Sequence, residues 1–167
     1  LDGIEPGIGT GRLALPLLSA GHRVTGVDIS RPMLDACGRK AASLRLDAGL
    51  TLLEGDATDL PVQDDAFGLG YFSSLLYLVP DWDAVLDELA RVVRPGGWVV
   101  GIRERTAQDD ALALWDGGWR ERVEATGFVH QPMVPGDDEL LASFRRRWGD
   151  AQIEELTSWP FGQSVRE

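Results

Sequence analysis

The sequence predicts an α/β fold, a three-layer sandwich in which a doubly wound, mainly parallel sheet carries helices on both faces. Three observations predict it. Short apolar runs alternate with stretches of helical periodicity, which is typical of β-α-β units. Three glycines lie at alternate positions in EPGIGTG, between the first strand and the first helix. Acidic residues end the next two strands. A sheet of this kind binds ligands beyond the carboxyl ends of its strands.

The first part of the chain predicts two strands, each followed by a helix. LDGIE is the first strand, and Gly11 to Gly21 has the apolar spacing of a helix. Pro16 is placed in the second turn of that helix, where loss of a backbone hydrogen bond predicts a kink. HRVTGVDI is the second strand. Ser30 is predicted to cap a second helix that runs towards Asp47.

Three more strands follow. LTLLEGDA, AFGLGYFSS and GWVVGIRE are predicted as the third, fourth and fifth strands. Between the last two, DWDAVLDELARVV has apolar residues at helical spacing, and Pro95-Gly96-Gly97 is predicted to end this helix. After residue 104 we expect helices over 107–127 and 137–148 and a sixth strand from Ala151 to Thr157.

The composition indicates one globular domain. The chain has 167 residues, 44% hydrophobic and 26% charged, which suits a single core. Its formal net charge of -11 disfavours nucleic acid as a partner. No apolar run reaches the roughly 20 residues of a membrane-spanning helix, so no membrane partner is expected. The single Cys37 excludes a disulfide framework and fits a reducing compartment, which makes the cytoplasm the expected location.

The spacing of the glycines separates several kinds of ligand site. A dinucleotide fingerprint, G-x-G-x-x-G, needs its third glycine at the position of Arg12. A phosphate-binding P-loop needs Gly-Lys-Ser/Thr, and TGR does not supply it. The pattern present is E-x-G-x-G-x-G. Its backbone amides and the following helix suit an anionic group, and a plain surface turn is the alternative.

Two acidic residues at strand ends extend the glycine pattern. Asp28 ends the second strand, where a carboxylate can accept hydrogen bonds from both hydroxyls of a ribose. Asp56 ends the third strand, where it or the adjoining backbone can recognise an adenine edge. Capping of a loop or helix is the alternative for each, and for Asp56 taken alone it is the favoured one. Together the loop and the two acids predict a site for a nucleoside.

EPGIGTGRLALPLLSAGHRVTGVDIS, LLEGDATDLP and LDELARVVRPGGWVV resemble the successive motifs of the class I S-adenosylmethionine-dependent methyltransferases, of the type 11 small-molecule kind with a Rossmann-like fold. The resemblance implies that Glu5 and the glycines surround the methionine part of S-adenosylmethionine. It also implies that Asp28 holds the ribose hydroxyls, with Ile29 beside the adenine and Asp56 and Ala57 facing it. The implied cofactor set is Glu5, Gly7, Gly9, Gly11, Asp28, Ile29, Asp56, Ala57 and Ser73.

The implied activity is methyl transfer by in-line displacement to a small-molecule acceptor, with no metal and no assigned catalytic residue. A noncatalytic S-adenosylmethionine-binding module and a nucleotide-cofactor oxidoreductase are the alternatives, and an enzyme of RNA or protein is disfavoured by the acidic charge. We expect a single domain over 1–167. Its cofactor-binding core is 1–104, and 105–167 supplies a helical connection and the sixth strand. The domain is expected to be incomplete at both termini.

The sequence departs from the family pattern in the fourth strand and after it. Phe67-Gly68 replaces Phe-Asp at the start of the fourth strand, and LLYL replaces the frequent LHH after it. With no histidine there, Tyr77 is the only acid-base candidate in that segment. The alternative is that Tyr77 is an aromatic residue packed under the cofactor loop. No sequence for a seventh strand is found, which predicts an unpaired edge on the fifth strand. The remaining substrate-side candidates follow the fourth and fifth strands: Ser73, Ser74, Arg103, Glu104 and Arg105.

Other residue types favour ordinary structural roles. His22 lies at the amino end of the second strand, and His130 lies in an irregular segment. FRRRW is expected to be the solvated face of a helix rather than a phosphate-binding patch. The six tryptophans are scattered and most are expected to pack. Trp115 and Trp119 could share one face over the site as a cage for a cationic acceptor.

Overall fold

The structure, a computed structural model, describes residues 1–102, 136–149 and 151. The strands of this part of the chain are β1 (Asp2–Pro6), β2 (Arg23–Asp28), β3 (Leu50–Glu54), β4 (Phe67–Ser73) and β5 (Val93–Ile102). Its α-helices are α1 (Ala14–Ser19), α2 (Arg31–Ser43), α3 (Trp82–Val92) and α4 (Asp137–Trp148). Short 3-10 helices span Asp47–Gly49 and Leu76–Leu78.

The strands form one sheet in the order β3-β2-β1-β4-β5. All four neighbouring pairs are parallel. The chain winds outward from β1 to β3 and then returns to place β4 on the other side of β1. The strand order therefore reverses between β1 and β4, which is where an open parallel sheet has its binding crevice. The predicted doubly wound α/β fold is confirmed.

Each face of the sheet has its own apolar core, as expected for a three-layer fold. Residues of α1 and α2 pack on one face, in a cluster of Ile8, Ala14, Leu18, Val24, Leu34, Cys37 and Tyr71. Residues of α3 pack on the other face, and α4 adds partly buried contacts. This cluster includes Ile4, Val27, Phe67, Phe72, Val85, Leu86, Leu89 and Val92. Cys37 is fully buried, as its position inside a helix predicted.

Helix α1 is shorter than its sequence pattern predicted. It begins at Ala14 rather than Gly11, so Pro16 lies in the first turn. The amide nitrogens of a first turn have no partner within their helix, so a proline there removes no helical hydrogen bond. The predicted position of Pro16 in the second turn is therefore wrong, and the hydrogen-bond loss that was the reason to expect a kink does not arise. Ser30 precedes α2 as predicted, but its side chain accepts no capping hydrogen bond.

The end of α3 and the start of β5 also differ from the prediction. Helix α3 ends at Val92 and β5 begins at Val93. Phe67 pairs with Val93 whereas Leu69 pairs with Trp98, so β5 bulges over 94–97. Gly68 lies at this irregularity, and a Cβ added there would be 2.7 Å from Nη2 of Arg94. The glycine that departs from the family pattern therefore leaves room for the Arg94 side chain.

Strand β5 is the edge of the described sheet, and residues 152–157, expected as the sixth strand, lie outside the described residues. Helix α4 coincides with its prediction and packs on α3. Arg147 of FRRRW is only 11% exposed in its side chain and pairs with Asp83 and Asp87, so this arginine is not on a solvated face. Within the described ranges, no helix has the length and apolar character needed to cross a membrane.

Candidate functional site

Loops from three strands meet at the carboxyl edge of the sheet. The amide of Gly7, after β1, donates to the Val27 carbonyl of β2 at 2.7 Å. The amide of Gly55, after β3, donates to the Asp28 carbonyl at 3.1 Å. These backbone bonds bring the predicted glycine loop, Asp28 and the Asp56 segment to one edge, although they are far apart in sequence.

The glycine loop needs glycine for different reasons at its different positions. Gly7, Gly9 and Gly11 all have positive φ, at 68°, 55° and 85°, a region that disfavours other residues. A Cβ at Gly11 would lie 2.7 Å from Sγ of Cys37, and one at Gly7 would lie 2.7 Å from Leu75. A Cβ at Gly9 would meet no atom within 4 Å. Gly9 therefore presents bare backbone to open space, where a ligand can approach it closely.

The Asp28 carboxylate accepts hydrogen bonds both from the glycine loop and from the turn that follows β2. The Gly9 amide donates to Oδ2 at 2.8 Å, and the Ser30 amide donates to Oδ1 at 2.8 Å. A carboxylate has about four acceptor positions, so each oxygen retains one for another donor. The same side chain can thus hold the loop in place and still accept a pair of ligand hydroxyls.

Glu5 is a buried carboxylate without a full set of partners. The residue is 4% exposed, and Oε2 has no hydrogen-bond partner among the described residues. Burial raises the pKa of Glu5 to about 7, and the Tyr71 hydroxyl and the Arg12 guanidinium oppose that rise. A buried carboxylate with an unsatisfied oxygen is costly unless a cation or donor meets it. The site therefore fits a ligand with a cationic end, as the sulfonium and ammonium groups of S-adenosylmethionine would supply.

A side-chain hydrogen bond that was not predicted from the sequence connects two segments at the carboxyl edge of the sheet. Nη2 of Arg12 donates to Oγ of Ser73 at 2.7 Å, which links the glycine loop to the end of β4. Lys40 of α2 donates to the hydroxyl of Thr10 at 2.9 Å. Two cations thus flank a loop in an acidic protein. The only sequence signal for Arg12 was its place directly after the third glycine.

The two residues expected to face adenine lie after β3. Oδ1 of Asp56 accepts from the amide and the hydroxyl of Thr58, at 2.9 and 2.8 Å. These bonds lower the pKa of Asp56, and they confirm the loop-capping alternative for its side chain. Ala57 is buried, and Ile29, after β2, is 75% exposed. An exposed isoleucine beside Asp28 offers an apolar surface to a flat ring.

The segment after β4 does not pack in the way that the sequence predicted. Tyr77 is 42% exposed, so it does not pack under the cofactor loop. Leu75 takes that place instead, against the backbone of Gly7. Ser74 has a φ of 54°, a strained value for a non-glycine residue. Tyr77 and Leu78 present an exposed aromatic and apolar surface at the carboxyl edge.

Several sequence-based candidates lie outside the described residues, namely Arg103, Glu104, Arg105, Trp115, Trp119, His130 and Trp159. Of the tryptophans that the structure describes, Trp82 and Trp148 are partly buried, whereas Trp98 is 72% exposed. Ring nitrogen Nδ1 of His22 contacts the amino terminus, far from the carboxyl edge. No group of three or more metal-ligating side chains occurs among the described residues.

Residues 4–101 match the family model described as "Methyltransferase domain". A phosphatidylethanolamine N-methyltransferase of Cereibacter sphaeroides is 36% identical, over 86% of this chain and 79% of its own length. A demethylmenaquinone methyltransferase of Oceanobacillus iheyensis is 38% identical, over 95% of this chain and 63% of its own length. The chain thus spans less than two thirds of the second relative.

A solved structure from Thermotoga maritima has the same fold. It is described as a "SAM-dependent methyltransferase, possible histamine N-methyltransferase" and has a TM-score of 0.62 and 26% identity. The match covers 87% of this chain and 62% of that one.

Proposed function

This chain belongs to the class I S-adenosylmethionine-dependent methyltransferases, and from that premise we propose that it methylates a small-molecule acceptor at the carboxyl edge of its sheet. The cofactor is S-adenosylmethionine. The unpartnered, buried Oε2 of Glu5 is the observation that carries our placement of that cofactor, because a cation beside the glycine loop would stabilise the charged form of this carboxylate. Membership in this family does not support the oxidoreductase alternative.

We assign the predicted residues as follows. Glu5 binds the cationic methionine end, and the bare backbone of Gly9 lets the ligand approach the loop. Asp28 uses its remaining acceptor positions for the ribose hydroxyls. The other proposed contacts are Gly7, Gly11, Ile29, Asp56, Ala57 and Ser73. Because Oδ1 of Asp56 is occupied by Thr58, the backbone of Asp56 and Ala57 is the better adenine contact.

S-adenosylmethionine supplies a methyl group on a sulfonium, which an acceptor can displace in line. Transfer of this kind depends mainly on orientation, which can contribute up to about 7 to 11 kcal/mol to the lowering of a barrier. The hydrogen bond between Arg12 and Ser73 joins the glycine loop to β4 and so favours one arrangement of the two sides of the crevice. The described residues directly after β4 carry hydroxyl and apolar groups, so the proposed acceptor is one that reacts without a carboxylate base from this segment.

The proposed acceptor has an apolar part. Tyr77 and Leu78 are 42% and 63% exposed, and they follow β4 at the carboxyl edge, where we place the acceptor. The relative from Cereibacter sphaeroides is named for an amine on a phospholipid, and the one from Oceanobacillus iheyensis for a quinone. Both names fit an acceptor that combines a reactive head with an apolar body. The division into a core of 1–104 and an additional part of 105–167 also remains our proposal.

The test is calorimetric titration of the purified protein with S-adenosylmethionine, followed by methyl transfer from radiolabelled cofactor. The acceptors are dispersed phosphatidylethanolamine, a demethylated quinone and free ethanolamine, which lacks the apolar body. We expect binding and transfer to at least one amphiphilic acceptor but little transfer to ethanolamine. Equal transfer to ethanolamine contradicts the apolar acceptor class, and absence of binding overturns the proposed site.

The second candidate is a module that binds S-adenosylmethionine without turnover. The observation that favours it is the lack of an ionisable side chain other than Tyr77 in the described segment 73–79. Cofactor binding together with no transfer to a broad set of amines, phenols, thiols and carbon acids would select this candidate.

A further inference from the structure

Two buried polar groups lie against each other beneath the glycine loop. We propose that the Tyr71 hydroxyl is a positioning group for Glu5, which supports the charged carboxylate that meets the cationic end of S-adenosylmethionine. This inference rests on the proposed function, because it concerns the same site. It adds a residue of β4 that neither the glycine motif nor the acidic strand ends indicated.

The sheet register brings the two residues together. Gly3 pairs with Leu69 and Ile4 pairs with Gly70 in the parallel β1–β4 ladder, so the next residues, Glu5 and Tyr71, are neighbours on adjacent strands. A Cβ added at Gly3 would lie 3.1 Å from Cε1 of Tyr71. The missing side chain at Gly3 therefore makes room for the tyrosine ring across β1.

Both groups are deeply buried and unsatisfied. Glu5 is 4% exposed and Tyr71 is 3% exposed. Oε2 of Glu5 and the hydroxyl of Tyr71 each lack a partner with hydrogen-bond geometry among the described residues. The Tyr71 hydroxyl nevertheless interacts with Glu5 and lowers the pKa of its carboxyl group. The pKa of Tyr71 itself is raised, mainly by burial and further by the Glu5 carboxylate. A hydrogen bond from the Tyr71 hydroxyl to the Glu5 carboxylate is therefore part of the proposal.

A purely apolar role for Tyr71 does not explain its hydroxyl. The ring packs in the cluster formed with α1 and α2, where phenylalanine would fill the same space without a buried, unpaired oxygen. Burying a hydroxyl without a partner is unfavourable. Its place beside the one buried carboxylate of the described chain points to a function in the charged state of Glu5.

Other ionisable groups act on Glu5 from each side. Arg12, in the loop after β1, favours its charged form. Cys37 on α2 faces Glu5. Burial is the main cause of the raised pKa of the Cys37 thiol, and the Glu5 carboxylate raises it further. Lys40, on the same helix, acts on Cys37 in the opposite direction and is bonded to Thr10. When a cationic ligand binds below about pH 7, Glu5 loses its proton to the buffer, and the Tyr71 hydroxyl makes that loss easier.

The experiment is titration with S-adenosylmethionine from pH 6 to pH 9, for the unmodified protein, Tyr71→Phe, Glu5→Gln and the double variant. Buffers of different ionisation enthalpy report the number of protons released. We expect Tyr71→Phe to raise the Kd about three- to tenfold near pH 6.5, in the range of one modest hydrogen bond, with a smaller effect at pH 9. The midpoint of the pH dependence should move upward, and more protons should be released at pH 7.

The double variant separates positioning from packing. In a Glu5→Gln background, Tyr71→Phe should leave the pH dependence of the Kd unchanged, because the titrating group is absent. The control, Ser43→Ala, removes an exposed hydroxyl at the end of α2, outside the proposed site, and should not move the midpoint. A uniform loss of affinity at all pH values, or none at all, overturns the inference while leaving the proposed function intact. If Glu5→Gln itself binds as the unmodified protein does, the proposed role of Glu5 fails first.

Discussion

The backbone amide of Gly9 donates a 2.8 Å hydrogen bond to the carboxylate of Asp28, so the residue at the end of β2 holds the loop that follows β1. Asp28 is thereby more than a ligand candidate, because the conformation of the glycine loop depends on it. Since its other oxygen accepts from Ser30, loss of the charge affects two loops together.

Replacement Asp28→Asn should weaken both the loop and cofactor binding. The amide group places an N–H₂ donor against one of the two backbone donors, so one hydrogen bond is lost and a repulsive contact replaces it. We expect unfolding to become easier by about 1 to 2 kcal/mol and the Kd for S-adenosylmethionine to rise on the order of a hundredfold, as loss of bonds to a charged acceptor predicts. Denaturant unfolding and calorimetric titration measure the two effects.

Asp35→Asn is the control for this substitution, since Asp35 is an exposed member of an i,i+4 pair with Arg31 on α2. Asp35→Asn should change neither the free energy of unfolding nor the Kd for S-adenosylmethionine appreciably. Unaltered cofactor affinity in Asp28→Asn would remove Asp28 from the proposed ribose contacts.

Glu5 should make the stability of the cofactor-free protein fall as pH rises. Its pKa of about 7 in the fold lies above the ordinary value of 4.5, mainly because of burial. Between these two pH values the folded chain binds more protons than the unfolded chain, so the free energy of unfolding decreases with pH across this window. The total decrease is about 3 kcal/mol.

Urea denaturation at pH 5, 6, 7 and 8 measures this slope. Glu5→Gln should remove it, and saturating S-adenosylmethionine should reduce it, because a cation favours the charged carboxylate. A Glu5→Gln variant with the original slope would assign the pH dependence to another group.

Alanine at Gly9 and at Gly11 should have different consequences. Both positions have positive φ, so each substitution strains the backbone by roughly 1 kcal/mol. Gly11→Ala also drives a methyl group towards Cys37, and we expect a total loss of about 2 to 4 kcal/mol of stability. Gly9→Ala meets no atom of the fold and should mainly reduce cofactor affinity.

Thermal unfolding and S-adenosylmethionine titration distinguish these two outcomes, with each variant serving as the control for the other. A Gly9→Ala protein that keeps full affinity would show that the cofactor does not approach the loop at this glycine.

Arg147 should be worth more to stability than its neighbours in FRRRW. Its Nε donates to Asp87 at 2.7 Å and its Nη2 lies 3.0 Å from Asp83, and the hydrogen bond from Arg147 lowers the pKa of Asp83. Arg147→Ala should lower the free energy of unfolding by about 2 kcal/mol, since it removes the contacts of a largely buried guanidinium between α4 and α3. Asp87 then loses its ion-pair partner among the described residues, whereas Asp83 keeps Arg146 and Ser143.

The matched control is Arg145→Ala. Arg145 is exposed and donates only to the Ala151 carbonyl among the described residues, so a change within about 0.5 kcal/mol is expected. Equal effects of the two substitutions in urea denaturation would show that the ion pairs contribute little to the packing of α4.

Local signals explain which parts of the fold the sequence could predict. Helix α4 has the predicted bounds because the signals that define it, apolar residues at helical spacing and a glycine on either side, all lie within one short segment of the sequence. Helix α1 was predicted to begin three residues too early, because Gly11 has a φ of 85° and so does not take helical backbone angles. The bulge at Gly68 was not predictable, because it depends on how Arg94 of another strand fits beside it.

By itself the sequence determined the order of strands and helices, the family and the position of the glycine loop. These features follow from the hydrophobic period and from the backbone freedom of glycine, which act over a few residues. The tertiary structure alone decided that Asp28 binds Gly9, that Arg12 reaches Ser73 and that Glu5 is buried beside Tyr71. The first two pairs are separated by 19 and 61 residues, and the burial of Glu5 depends on β4. Contacts across parallel strands have no periodic trace in the sequence, so only the folded sheet reveals the electrostatic environment of the site.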